Sequence, residues 1–117
     1  MHNKVSDVAM DKNFTRRCVC NFIGRHAAVM PGVVFTHDDV VGDYATFGAG
    51  VLLAGRVRIA EGAYIGSGVM VREDRSIGEW SLVGMGAVVT GDVPGGQVWA
   101  GVPARYVRDV QIPEGLF

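Results

Sequence analysis

The sequence predicts an all-β chain wound as a parallel β-helix, a three-sided prism with one short strand on each side per lap. Three observations carry this. An apolar residue returns at every sixth position, glycine returns at every eighteenth, and the composition combines abundant glycine with abundant valine. That combination marks many tight turns between short strands.

The six-residue period comes first. Stepping by six from Ile23 reaches Val29, Phe35, Val41, Phe47, Leu53, Ile59, Ile65, Val71, Ile77, Val83 and Val89. Those four residue types make up roughly a third of the chain, so an unbroken run of this length has chance odds on the order of one in a million or less. A β-sandwich would show hairpin turns and period-two alternation at uneven spacing. The phase is read as unbroken from Ile23 to Pro94.

The residue four places after each of these is mostly small or branched: Ala27, Val33, Ala45, Val51, Val57, Ala63, Val69, Ser81, Ala87 and Val93. Asp39 and Arg75 break the series. Each hexapeptide therefore supplies one large and one small inward residue, which suits a flat strand followed by a corner.

Gly32, Gly50, Gly68 and Gly86 stand 18 residues apart, and the first follows Pro31. Proline then glycine favours a turn whose third residue needs a positive φ. Three hexapeptides thus make one lap, with four laps at 23–40, 41–58, 59–76 and 77–94. Each lap buries its interior only against its neighbours. The expected organisation is a short N-terminal cap at 1–22, the β-helix at 23–94 and an extended C-terminal tail at 95–117. Cys18, Val19, Cys20 and Phe22 are the apolar contacts expected of the cap, since an open solenoid end exposes strand edges.

Composition narrows the function. The 117 residues suffice for one domain, and a formal charge of −1 gives no broad basic field for nucleic acid or an anionic membrane. No apolar run approaches a membrane span, and the N-terminus lacks a signal-peptide core. The expectation is a soluble, cytoplasmic protein with Cys18 and Cys20 as reduced thiols. No Cys or His spacing suggests zinc, so no metal is expected.

The stretches Ile65-Gly-Ser-Gly-Val, Val83-Gly-Met-Gly-Ala-Val-Val-Thr-Gly-Asp-Val-Pro94 and Ala100-Gly-Val-Pro-Ala-Arg105 closely resemble the hexapeptide-repeat acyltransferase superfamily. Within it, Thr36-His37-Asp38-Asp39-Val40-Val41-Gly42-Asp43 resembles the sugar O-acyltransferase group, which includes sialic-acid O-acetyltransferases and N-acetyltransferases of 4-amino-sugar nucleotides. The resemblance covers roughly residues 23–108. It implies a left-handed helix, a homotrimer, and acetyl-CoA held in a groove between subunits. It also implies a histidine that deprotonates an amine or hydroxyl of a sugar-type acceptor. Full-length relatives carry an N-terminal α/β domain that helps bind the sugar nucleotide, whereas about 22 residues precede the helix here. Many relatives have a second histidine nine residues after the first, a position held by Thr46 in this chain.

His37 and Asp38 are the candidate catalytic residues. His37 falls on a corner, where side chains point outward, and an imidazole titrates close enough to neutrality to act as a base. Either Asp38 or Asp39 is placed to orient it, as a carboxylate does in a triad. Asp39 is the odder of the two, because its slot faces inward and a buried carboxylate needs partners. Gly55, one lap above His37, leaves room beside the imidazole and offers a backbone N–H to the thioester oxygen. Ser67 and Met85, between paired glycines, resemble the family's positions for the pantetheine arm. Arg105 is matched to the CoA phosphates and Thr46 is grouped with these cofactor-lining residues. Tyr44 and Trp80, outward on one corner column, suggest a subunit interface.

The sequence leaves other readings open. A zinc carbonic anhydrase on the same fold needs three facing histidines, and only His37 lies at a suitable corner. An ice-binding helix needs a threonine column, which is lacking. A non-catalytic β-helix that serves assembly or binding is the main alternative, since fold does not fix function.

Overall fold

A computed structural model of the chain describes residues 3–4 and 21–111. Cys18 and Cys20, and most of the expected cap, lie outside these residues.

Strands are short because every sixth residue must turn a corner. In chain order, β1 is Asn3–Lys4. The first lap holds β2 (Phe22–Ile23), β3 (Ala28–Val29) and β4 (Val34–Phe35). The second holds β5 (Val40–Val41), β6 (Thr46–Phe47) and β7 (Leu52–Leu53). The third holds β8 (Arg58–Ile59), β9 (Tyr64–Ile65) and β10 (Met70–Val71), and the fourth β11 (Ser76–Ile77), β12 (Leu82–Val83) and β13 (Val88–Val89). The extended segment that follows supplies β14 (Gln97–Ala100) and β15 (Arg105–Asp109). No helix occurs among the described residues.

The strands stack into three faces. The first face runs β1-β2-β5-β8-β11, the second β15-β14-β12-β9-β6-β3, and the third β13-β10-β7-β4. Within the laps every pairing is parallel, with registers such as Val41↔Ile59, Phe47↔Ile65 and Leu53↔Val71. The six-residue column read from sequence is therefore the inward column. Phe47, Leu53, Ile65, Val71, Ile77, Val83 and Val89 are buried, and so are Ala45, Val51, Val57, Ala63, Val69 and Ala87 from the small series. Phe35 meets Phe47 edge to face, with ring centroids 5.5 Å apart. Aliphatic stacking at this density is the main stabilising force, since each buried Val, Leu or Ile contributes about 1.5–3 kcal/mol.

At each end an antiparallel strand covers one of the three faces. β1 pairs with β2 on the first lap, and β15 pairs with β14 beyond the fourth. Such caps occupy the backbone groups that an open parallel edge would leave unpaired.

The phase is not continuous to Pro94. Ile77 pairs with Val93 and Leu82 with Val98, each sixteen residues on, where complete laps pair residues eighteen apart. The last corner is two residues tighter. Val93 therefore moves from a corner slot to a strand slot, and it stays buried because both slots face inward. The change is invisible to a count of apolar residues for that reason.

Candidate active site

Three edges join the faces, and each turns by the same device. The second corner residue takes a left-handed φ, and its N–H donates to the carbonyl of the first corner residue one lap earlier. Arg56 N–H donates to the His37 carbonyl, Gly62 N–H to Asp43, and Gly68 N–H to Ala49, at 2.8–2.9 Å. On the edge between the second and third faces this residue is glycine in all four laps: Gly32, Gly50, Gly68 and Gly86, with φ of 73–81°. On the edge between the third and first faces it is Asp38, Arg56 and Asp74, with φ of 52–60°. On the remaining edge it is His26, Tyr44, Gly62 and Trp80.

His37 lies on the charged edge. Thr36 Oγ donates to the Leu53 carbonyl at 2.9 Å, which ties the approach to this corner to the lap above. The His37 side chain is 40% exposed. Its Nδ1–H donates to Asp38 Oδ2 at 3.1 Å. That tautomer leaves the Nε2 lone pair free, and Nε2 lies against Gly55 of the next lap. A Cβ on residue 55 would sit 2.5 Å from Nε2, and Gly55 also has a φ of 122°. Any side chain there would displace the imidazole.

Asp39 does not orient His37. It points into the prism, where it is fully buried. Oδ1 accepts the Val57 N–H at 3.0 Å, and the Asp39 N–H donates to Asn21 Oδ1 at 2.9 Å. Its role is to satisfy a backbone donor at a corner, as Asp92 does for Ser76 N–H and Asp43 for Arg25 N–H. Burial pushes the Asp39 carboxyl above the ordinary aspartate range, against the lowering effect of the Val57 N–H. Oδ2 has no hydrogen-bond partner among the described residues.

Above His37 the edge carries an exposed ion pair. Arg56 Nε donates to Asp74 Oδ1 at 2.6 Å, and its second nitrogen donates to Oδ2 at 3.0 Å. The guanidinium hydrogen bonds hold the Asp74 carboxyl below its usual range. Asp38, Arg56, Asp74 and Asp92 form one wall of a cavity of about 440 Å³. Arg58, Arg75 and Ser76 form the rest. The sequence reading missed this cavity. Its one available signal was Arg75, a cation in a slot that otherwise holds small apolar residues.

The other candidates lie elsewhere on the prism. Thr46 is half-buried on the second face, in β6. Ser67 and Met85 occupy the glycine edge, with Met85 79% exposed. Arg105 is exposed at the start of β15. Within one chain, then, His37, Asp38 and Gly55 come together, while these four sit on other parts of the surface. Tyr44 and Trp80 are about half exposed on the third edge. Tyr44 stacks on His26, with centroids 5.2 Å apart, and the Trp80 indole covers Gly62. Among the described residues, no group of three His, Cys, Asp or Glu side chains is arranged to hold a metal ion, and no helix is long and apolar enough to cross a membrane.

The fold is the left-handed hexapeptide-repeat β-helix of the acyltransferases. The particular likenesses are to three solved enzymes. A hexapeptide-repeat acetyltransferase of Vibrio cholerae complexed with acetyl coenzyme A is 23% identical, with a TM-score of 0.72 over 77% of this chain and 60% of its own. The UDP-N-acetylglucosamine acyltransferase of Arabidopsis is 30% identical, with a TM-score of 0.73 over 74% of this chain and 30% of its own. A serine acetyltransferase in complex with CoA is 31% identical, with a TM-score of 0.70 over 73% of this chain and 38% of its own. The chain therefore spans less than two thirds of each of these enzymes. No family model and no curated protein matches the sequence.

Proposed function

We propose that this chain is an acyltransferase that moves an acetyl group from acetyl-CoA to an amine or hydroxyl of a sugar-type acceptor, with His37 as general base. The observation that carries this reading is the imidazole held by Asp38 with Nε2 over the bare backbone of Gly55. The solved likenesses that contain acetyl-CoA or CoA support the donor.

The chemistry follows from the geometry. Nε2 takes the proton of the acceptor amine or hydroxyl as that atom attacks the thioester carbonyl. Asp38 stabilises the imidazolium that forms. The tetrahedral intermediate collapses, the C–S bond breaks, and the imidazolium returns its proton to the CoA sulfur. The Gly55 N–H donates to no other group among the described residues, and it is assigned to the oxyanion.

A prism has no deep groove of its own for a long donor, so the reading includes a homotrimer. Ser67 and Met85 of one copy then line the pantetheine arm beside His37 of the next, with Thr46 and Arg105 further along it. The exposed Tyr44 and Trp80 support burial of further surface between copies.

Two measurements test this. Acetyl-CoA raises the melting temperature of the full chain by binding the folded state. His37→Ala keeps that shift, but lowers CoA release with amino-sugar and amino-sugar-nucleotide acceptors about 10²–10⁴-fold. If neither acetyl-CoA nor CoA moves the melt, the chain is a non-catalytic β-helix.

A further inference from the structure

We infer that the cavity beside His37 seats a compact oxyanion of the acceptor, a carboxylate or a phosphate monoester, held by Arg58 and Arg75. This rests on the acyltransfer reading and narrows its acceptor to a charged class.

The charges around the cavity are unequally engaged. Arg56 is neutralised by its forked pair with Asp74. Asp92 accepts the Ser76 N–H, and Asp38 is committed to His37. Arg58 and Arg75 line the same space, and neither guanidinium has an ion pair or a hydrogen bond among the described residues.

Arg75 is the more informative of the two. It starts from the inward column of Asp39 and Val57, and its Nε is buried without an acceptor among the described residues. A buried donor left unmade is costly, and one that native structures retain calls for an explanation such as a bound group that supplies the acceptor. A guanidinium presents a planar fork that matches carboxylate and phosphate oxygens. The cavity wall is charged or polar throughout, which suits an anionic group and not an acyl chain. Asp38 is both a wall of this cavity and the partner of His37 Nδ1, so an acceptor anchored at the arginines sits beside the corner that carries the base.

The test uses inorganic phosphate and succinate as probes on the full chain, with sodium chloride holding ionic strength constant. At least one probe raises the melting temperature saturably, and the one that does identifies phosphate or carboxylate as the group. Arg58→Gln, an exposed strand position, and Arg75→Gln each weaken the probe's apparent affinity tenfold or more and leave the acetyl-CoA shift in place. If Arg75→Gln fails to fold, Arg58→Gln decides alone. Loss of the acetyl-CoA shift in these variants assigns the cavity to the CoA phosphates and overturns the proposal. So does a wild type that responds to acetyl-CoA and to neither probe. A wild type that responds to a probe but not to acetyl-CoA supports the oxyanion site and sinks the acyltransfer reading.

Discussion

The glycine edge and the charged edge make the same turn at very different cost. On the first, Gly32, Gly50, Gly68 and Gly86 adopt a left-handed φ that glycine reaches freely. On the second, Asp38, Arg56 and Asp74 adopt it with side chains attached. Each side chain costs about 1–2 kcal/mol in that region, somewhat less for aspartate. The fold itself asks only for a positive φ at each corner, and glycine meets that demand. Where the chain keeps Asp38, Arg56 and Asp74 instead, their side chains orient His37 or wall the cavity beside it. Backbone strain of this kind often gathers at functional sites, though His26, Tyr44 and Trp80 carry it on the remaining edge as well.

The contrast breaks most sharply at Gly55. It lies on the charged edge, yet it is the position where a side chain is excluded by the imidazole. Gly55→Ala is expected to lower transfer, read as CoA release, by about 10²-fold, the usual cost of displacing a reacting group by an ångström. A rate equal to wild type would show that the imidazole does not need that space.

Asp38→Gly inverts the trade between the two edges. It gives the charged edge a glycine corner and removes the carboxylate that holds Nδ1. Transfer falls about tenfold, because the base loses its orientation and the partner of its charged form. Stability changes by less than about 1 kcal/mol, since relief of strain offsets the loss of an exposed hydrogen bond and the added freedom of glycine in the unfolded chain. A large drop in melting temperature with an unchanged rate would make Asp38 structural.

Gly50→Ala makes the opposite change on the glycine edge. A Cβ there meets nothing within 4 Å, so the cost is conformational only. It should destabilise the chain by about 1–2 kcal/mol. At about 4–8 °C per kcal/mol for a domain of this size, thermal denaturation resolves it easily. At saturating acetyl-CoA, transfer per folded molecule stays at the wild-type level, because His37, Asp38 and Gly55 lie on another edge.

The faces were more legible in sequence than the edges, for a physical reason. Inward columns obey one rule, apolar and sized to fit, so Phe47, Leu53 and Ile65 announce themselves by period alone. The Pro31-Gly32 corner was legible too, because a positive φ selects glycine. The left-handed conformation of Arg56 and Trp80 was not, since nothing in those residue types asks for it. His37 and Gly55 were placed correctly because both lie eighteen residues apart on one edge. The choice between Asp38 and Asp39 was not legible. It turns on which carboxylate the corner sends inward and on a Val57 N–H in need of an acceptor. The tightened fourth lap escaped because Val93 suits either of two slots.

Asp39 also makes stability depend on pH. Burial raises its carboxyl pKa in the folded chain, so the folded state holds the proton more tightly than the unfolded state. Stability is therefore greater at acid pH, and is lost as pH rises from the ordinary aspartate value through the raised one. Asp39→Asn removes that loss while its amide oxygen still accepts from Val57. The melting temperature of the variant, relative to wild type, should climb as pH is raised from about 4 toward neutrality. A difference that is flat across this range would mean that Asp39 is no harder to ionise folded than unfolded.

The smallest expected effect sharpens the comparison at Arg56. Its pair with Asp74 is bidentate but exposed, and such pairs add little to stability. Arg56→Gly loses that contribution and gains relief of a left-handed φ of 52°. The two terms nearly cancel, so the melting temperature should move by no more than a few degrees at low salt. In high salt the wild-type ion pair is screened while the backbone relief is not. The variant should therefore gain on wild type as salt is added. If it loses ground instead, the pair with Asp74 holds the corner more firmly than an exposed ion pair does, and the charged edge is built for rigidity as well as for chemistry.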